Sequence, residues 1–135
     1  MADCYSNYLR DAINDHIHGG PAFTKPATTY FALMLVAPTA SGGGTEVTGG
    51  SYARVAVTNN TTNWPASSGQ TKSNGLAINW GTATAAWGLV LAIAEYDAST
   101  GGNLLTFALL STPVTVASGQ PFQIPAAGGV FNWAA

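Results

Sequence analysis

The stretch that decides the fold is Thr45-Glu46-Val47-Thr48-Gly49-Gly50-Ser51-Tyr52-Ala53-Arg54-Val55-Ala56-Val57, in which a glycine pair comes directly before an alternating segment. Two interleaved rows follow the glycines, one of Tyr52, Arg54 and Ala56 and the other of Ala53, Val55 and Val57. This period of two is typical of a β-strand with one face in a core. Gly49 and Gly50 supply the positive φ angles of a tight connection. We therefore predict a strand that begins at Tyr52.

Arg54 lies in the middle of that predicted strand. A charged side chain there needs either a partner or a solvent-exposed face, because burying an unpaired charge is costly. The chain has only four basic residues. Glu46 and Glu95, on adjoining extended segments, are the candidate partners, and we predict a structural ion pair between Arg54 and one of them.

The composition predicts that other protein chains cover much of the surface. Apolar residues make up 47% of the sequence and charged residues 7%, against roughly 25% charged in ordinary soluble domains. A length of 135 residues fits one domain, which we place at 1–135. So few charges would leave a free monomer poorly dispersed in water. We therefore expect a homo-oligomer.

Several classes of partner are not expected. The net charge of −2 comes without any basic cluster, which argues against nucleic-acid binding. The longest apolar runs, 31–38 and 85–94, are too short to span a bilayer, so no membrane partner is expected. The N-terminus shows no signal-peptide pattern, and the single cysteine, Cys4, cannot form an internal disulfide. We expect a soluble product made in the cytoplasm.

The N-terminal segment predicts one amphipathic helix over residues 3–18. Asp3 or Ser6 can cap its start, and the Gly19-Gly20-Pro21 sequence ends it. One face carries an apolar stripe of Tyr5, Leu9, Ala12, Ile13 and Ile17, and the opposite face carries Arg10, Asn14 and His18.

The remainder, residues 26–135, predicts a mainly β fold. Short extended segments recur about every ten residues, at 29–36, 52–57, 76–80, 87–96, 104–110, 114–116, 122–124 and 130–133. This spacing favours a seven- to eight-stranded β-sandwich of jelly-roll type. The first segment is apolar throughout, as a strand buried on both faces would be. A long polar loop over 59–69 carries Trp64, and such loops tend to be functional or held at an interface.

No residue pattern predicts catalysis, a cofactor or a metal site. His16 and His18 stand two apart on the predicted helix, so their side chains point about 200° apart and cannot share one metal ion. Glu95 and Asp97 alternate on one strand face, but they border a glycine turn without a second polar cluster. We predict that the protein is not an enzyme.

The four tryptophans leave two interpretations open. Trp64 and Trp87 border loops, and aromatic rings on the rim of a β-sandwich can bind sugars. Alternatively, Trp64 packs its loop against the sheet while Trp80 and Trp133 serve the core or contacts between subunits.

Several sequence blocks together resemble a family of small virion proteins of tailed bacteriophages, described as tail-fibre proteins and similar to capsid cement proteins. The blocks are Pro26-Ala27-Thr28-Thr29-Tyr30, Ala37-Pro38-Thr39, residues 43–57, Asn63-Trp64-Pro65, Lys72-Ser73-Asn74-Gly75 and residues 97–105. The resemblance extends from the N-terminal helix to Leu105. It implies a structural role in the virus particle and no catalytic residues.

Two functions follow as hypotheses. The first is a structural virion protein, a homotrimer in line with the resemblance, that binds the major capsid protein or tail proteins. The second is a fibre or knob module that binds a host glycan. We predict that the attachment surface combines the helix, through Leu9, Arg10, Ile13 and Ile17, with the loop around Trp64. The alternative is that the helix only covers the open end of the sandwich.

Overall fold

The computed structural model describes residues 5–132. Within them, the chain forms one helix, α1 (Asn7–Ile17), and nine strands: β1 (Thr28–Val36), β2 (Thr45–Glu46), β3 (Val55–Thr58), β4 (Thr71–Ser73), β5 (Ile78–Thr82), β6 (Gly88–Tyr96), β7 (Leu104–Val116), β8 (Pro121–Ile124) and β9 (Val130–Asn132). The predicted mainly β fold with one N-terminal helix is confirmed. The jelly-roll connection of the strands and the single-domain extent stay predictions.

A five-stranded antiparallel sheet is the largest element, with β1 and β6 at its centre and β7 at one edge. The other edge of β1 is shared, because β3 pairs with its first half and β2 with its end. Phe31 and Leu33 of β1 belong to one core cluster and Ala32 and Met34 to another, and all four are at most 1% exposed. The expectation that this strand is buried on both faces is confirmed.

The main core lies between this sheet and the separate antiparallel pair of β5 and β8. It combines side chains from both layers: Phe31, Leu33, Val90, Ile93, Val116, Ile78, Trp80 and Phe122. The Trp80 and Phe122 rings meet edge to face, with centroids 5.5 Å apart. Trp80 is thus a core residue, whereas Trp133 lies outside the described residues. A third small sheet joins β4 to β9.

Helix α1 begins later than predicted, at Asn7 rather than residue 3. The reason is that Tyr5 forms an isolated antiparallel bridge with Thr106, and the Ser6 amide donates to the Leu105 carbonyl at 2.9 Å. Backbone used for strand pairing cannot also be helical. The Ser6 hydroxyl accepts from the Leu9 amide and so caps the helix. Asp3 lies outside the described residues.

The strand predicted from Tyr52 starts only at Val55, so that prediction is wrong for residues 52–54. The Tyr52 amide donates to the Gly49 carbonyl at 3.0 Å, which extends the glycine turn. The Tyr52 hydroxyl accepts from the Leu33 amide at 2.9 Å and donates to Glu46 Oε1 at 2.8 Å. The Tyr52 side chain, rather than its backbone, therefore bonds to β1.

The segments predicted as two strands around Pro113 form one strand, β7. Its pairing with β6 changes register there, because Ala92 pairs with Leu109 whereas Val90 pairs with Val114. The extra β7 residues form a bulge that contains Pro113. Proline is tolerated at this place because β7 is an edge strand.

Candidate functional site

A pocket of about 410 Å³ lies between helix α1 and the loop that carries Trp64. Its lining comes from separate parts of the chain: Leu9 of the helix, Lys25 from the segment before β1, Asn60 and Trp64 of the long loop, Lys72 of β4 and Glu95 of β6. The structure thus brings Leu9 and Trp64, two predicted attachment residues, to one concave surface. Pockets of roughly 300–1,000 Å³ are typical of small-molecule sites.

Local hydrogen bonds fix the position of Trp64. Asn60 Oδ1 accepts from the amides of Thr62 at 3.0 Å and Asn63 at 2.8 Å, an asparagine-based turn. The Trp64 amide then donates to the Asn60 carbonyl at 2.9 Å. The indole packs on Phe31 of the main core, with ring centroids 5.7 Å apart. Trp64 is therefore a partly exposed ring held by a rigid backing.

Glu95 contributes the acidic group of the pocket. It stands on β6 between Phe31 of β1 and Thr106 of β7. Its Oε2 accepts from the Thr106 hydroxyl at 2.7 Å, and the Thr29 hydroxyl also bonds to the carboxyl group. Burial raises the pKa of Glu95 above its ordinary value, and the two hydroxyl bonds oppose that rise only in part.

Two lysines contribute positive charge to the same pocket. Lys25 is exposed, whereas Lys72 is partly buried and donates through Nζ to the Trp64 carbonyl at 3.2 Å. The chain has only four basic residues in all, so half of them line this pocket. Neither lysine was predicted as a site residue, because the two are 47 positions apart and no local pattern joins them.

Arg54 lies away from this pocket, against Glu46. Arg54 Nε donates to Glu46 Oε1 at 3.0 Å and Nη2 donates to Oε2 at 2.8 Å. Nη1 donates to the carbonyls of Ala98 and Gly101, and the guanidinium carbon stands 3.8 Å from the centre of the Tyr96 ring. These contacts join the glycine-turn region to the loop between β6 and β7.

The electrostatics of this cluster follow from its burial. The Arg54 side chain is 8% exposed and that of Glu46 is 25% exposed. Burial lowers the pKa of Arg54, but the hydrogen bond and charge of Glu46 outweigh it, so the pKa stands above its ordinary value. Burial also raises the pKa of Tyr52 and of Tyr96. Of the two predicted partners, the structure places Glu46 beside Arg54, whereas Glu95 bonds to threonines.

The predicted attachment residues of the helix differ in exposure along its length. Leu9 is buried, Arg10 and Ile13 are partly buried, and Ile17 is 65% exposed. The first turn is joined to β7 through Ser6, so the helix packs on the sheet at its start and is exposed toward its end. The apolar stripe thus covers the body only in part.

The residues considered for metal binding or catalysis have other contacts. His16 Nδ1 accepts from the Phe23 amide at 3.1 Å, and Asp97 accepts from the backbone and side chain of Asn103. Across residues 5–132, no group of three or more histidine, cysteine, aspartate and glutamate side chains could hold a metal ion. The same part of the chain includes no helix long and apolar enough to cross a membrane.

A known protein family matches most of the chain. The family described as "Podophage GP4 fiber I protein gp80" matches residues 4–130. No curated protein matches the chain. The matched residues include the helix, the Arg54 cluster and every residue named above as lining the pocket. The predicted relation to tailed-phage virion proteins is confirmed. The chain therefore belongs to the podophage GP4 fiber I protein gp80 family, a family of phage fibre structural proteins.

Proposed function

We propose that this protein is a non-catalytic structural component of the virion, made in the bacterial host cytoplasm, which assembles as a homotrimer. It attaches to the particle through the major capsid protein or tail proteins. The observation that carries the proposal is the outer edge of strand β7, of which only the start is paired with another segment. That edge offers a second copy of the chain unpaired backbone next to exposed apolar side chains.

The N-terminal segment covers only the start of this edge, through Tyr5 at Thr106. Within residues 5–132, no strand pairs with the outer edge of β7 beyond that bridge. Leu109 is 62% exposed and Val114 is 41% exposed. With 7% charged residues, little on this surface would oppose contact with another copy.

Sedimentation of the whole protein at low micromolar concentration tests the assembly. We expect a species three times the 13.8 kDa chain mass, and we expect Leu109→Lys with Val114→Lys to reduce it to the monomer. Leu76→Lys is the matched control, because Leu76 is an exposed apolar residue, at 53%, that is not on β7. A wild type that sediments as a monomer, or a double variant of unchanged size, would contradict the proposal.

The exposed end of helix α1 is the surface that we propose for attachment to the particle. Ile17 is its most exposed apolar residue. In phage lacking the native protein, Ile17→Asp is expected to fold and self-associate but to be absent from purified particles. Asn14→Asp adds the same charge to the same helix at an exposed site and is expected to join them. Equal incorporation of both variants would move the attachment surface elsewhere.

A second candidate function is glycan binding, favoured by the partly exposed Trp64 ring in the pocket. The number of copies per virion, measured by densitometry, separates the structural roles. A few to a few dozen copies support a fibre, whereas hundreds support a capsid cement protein.

A further inference from the structure

We propose that the pocket between helix α1 and the Trp64 loop binds an acidic sugar unit, of the uronic acid type, in a polysaccharide of the host surface. This inference rests on the second candidate function, glycan binding. It goes further by assigning the chemical class of the ligand and the residues that select it.

The Trp64 ring forms an aromatic wall of the pocket. The Trp64 ring is backed by Phe31 at a centroid distance of 5.7 Å, and its loop is fixed by the Asn60 turn. A rigid, partly exposed indole binds the apolar face of a pyranose ring with little loss of side-chain entropy. The pocket volume of about 410 Å³ leaves room for such a ring.

The pocket lining carries two ammonium groups, those of Lys25 and Lys72, and one carboxylate, that of Glu95. Within the described part of the chain, neither Lys25 nor Lys72 has an acidic ion-pair partner. Glu95 is engaged by Thr29 and Thr106. The two ammonium groups outnumber the single carboxylate by one, so the pocket has one excess positive charge. A ligand carboxylate would balance that charge. A neutral sugar would leave this charge without a partner.

The donors and acceptors that the pocket residues leave unused indicate where each part of the ligand would bind. Lys25 is exposed, so its ammonium is available to the carboxylate of the sugar. Lys72 uses one of its three donors on the Trp64 carbonyl, which leaves two donors for a ligand. A carboxylate accepts several hydrogen bonds, so Glu95 can also accept one from a sugar hydroxyl.

Binding of methyl β-D-glucuronide to the whole protein tests the inference, by saturation-transfer NMR and by calorimetric titration in the millimolar range. Methyl β-D-glucoside is the matched ligand, since it has the same ring without the carboxylate. We expect the glucuronide to bind about tenfold more tightly, which corresponds to one charge-assisted hydrogen bond. Lys25→Gln should weaken glucuronide binding about tenfold and leave glucoside binding unchanged.

Arg10→Gln is the control variant, because it removes a positive charge outside the pocket lining, and it should bind the glucuronide as the wild type does. Equal affinity for both sugars would overturn the acidic class while leaving glycan binding intact. Binding of neither sugar would overturn both. Inorganic phosphate that displaces the glucuronide but not the glucoside would show binding of anions in general, and so would also overturn the sugar assignment. Sedimentation of the same samples tests the structural role separately.

Discussion

Replacing Arg54 by alanine should destabilise the fold strongly, because one side chain joins three parts of the chain. The guanidinium binds Glu46 through two nitrogens, the 98–101 loop through two carbonyls and the Tyr96 ring through its face. Its side chain is 8% exposed, so the groups that it leaves behind would be poorly hydrated.

The expected loss can be estimated from these contacts. Removing one partner of a buried ion pair costs about 3–5 kcal/mol. Glu46 is 25% exposed, so water can partly replace its lost partner, and we take the lower end, about 3 kcal/mol. For a chain of this length, about 1 kcal/mol shifts Tm by roughly 3–5 °C, which gives a decrease of roughly 9–15 °C.

Thermal unfolding followed by circular dichroism, at one fixed protein concentration, measures the effect. Glu46→Gln should cost less, about 1–2 kcal/mol, because it removes the charge but keeps an acceptor for Tyr52 and Arg54. Lys25→Ala, at an exposed residue, serves as the control and should change stability by no more than about 0.5 kcal/mol. An Arg54→Ala protein that unfolds at the temperature of the Lys25→Ala protein would refute the argument.

Two further predictions concern Glu95 and the glycine pair. Burial raises the folded-state pKa of Glu95, so its contribution to stability is present at low pH and is lost as pH rises through that pKa. Urea unfolding at several pH values should show that Glu95→Gln removes this decrease, and parallel pH profiles of the two proteins would count against it. Gly49→Ala and Gly50→Ala both place alanine at positive φ, at a cost of about 1–2 kcal/mol. A Cβ at Gly50 would also lie 2.6 Å from the Ala85 carbonyl oxygen and 2.9 Å from Trp87 Nε1, whereas none of the surrounding atoms lies within 4 Å of one at Gly49. Gly50→Ala should therefore unfold at the lower temperature, and equal melting temperatures would exclude the clash.

Local patterns predicted those elements of the fold that depend on neighbouring residues. The apolar run of β1, the glycine stop after α1 and the turn between β6 and β7 all depend on residues close in sequence. The start of β3 did not follow, because the Tyr52 hydroxyl bonds to Glu46 and to the Leu33 amide, which the alternation of residues 52–57 does not reveal. Strand β4 was not predicted because its three residues pair as a strand with β9, far along the chain.

The candidate site was predictable only in fragments. Leu9 and Trp64 were selected from the sequence for different reasons, one for its helical stripe and one for its polar loop. Their shared pocket depends on the pairing of Tyr5 with Thr106 and on the packing of Trp64 against Phe31. The residues of the first contact are 101 positions apart and those of the second 33. The placement of Glu95 beside two threonines likewise requires the register of β1, β6 and β7.

The sheet order also has a consequence for synthesis on the ribosome. Strand β1 can pair with β2 and β3 soon after it emerges, but its other edge receives β6, at residues 88–96. At about 5–20 residues per second, that edge waits several seconds for its partner. Throughout this interval an apolar strand stands with unpaired backbone, the condition that favours aggregation of nascent chains. The time that the ribosome needs to reach the end of β6 therefore sets how long each new fibre chain remains vulnerable, because β6 is the strand that pairs with this edge of β1.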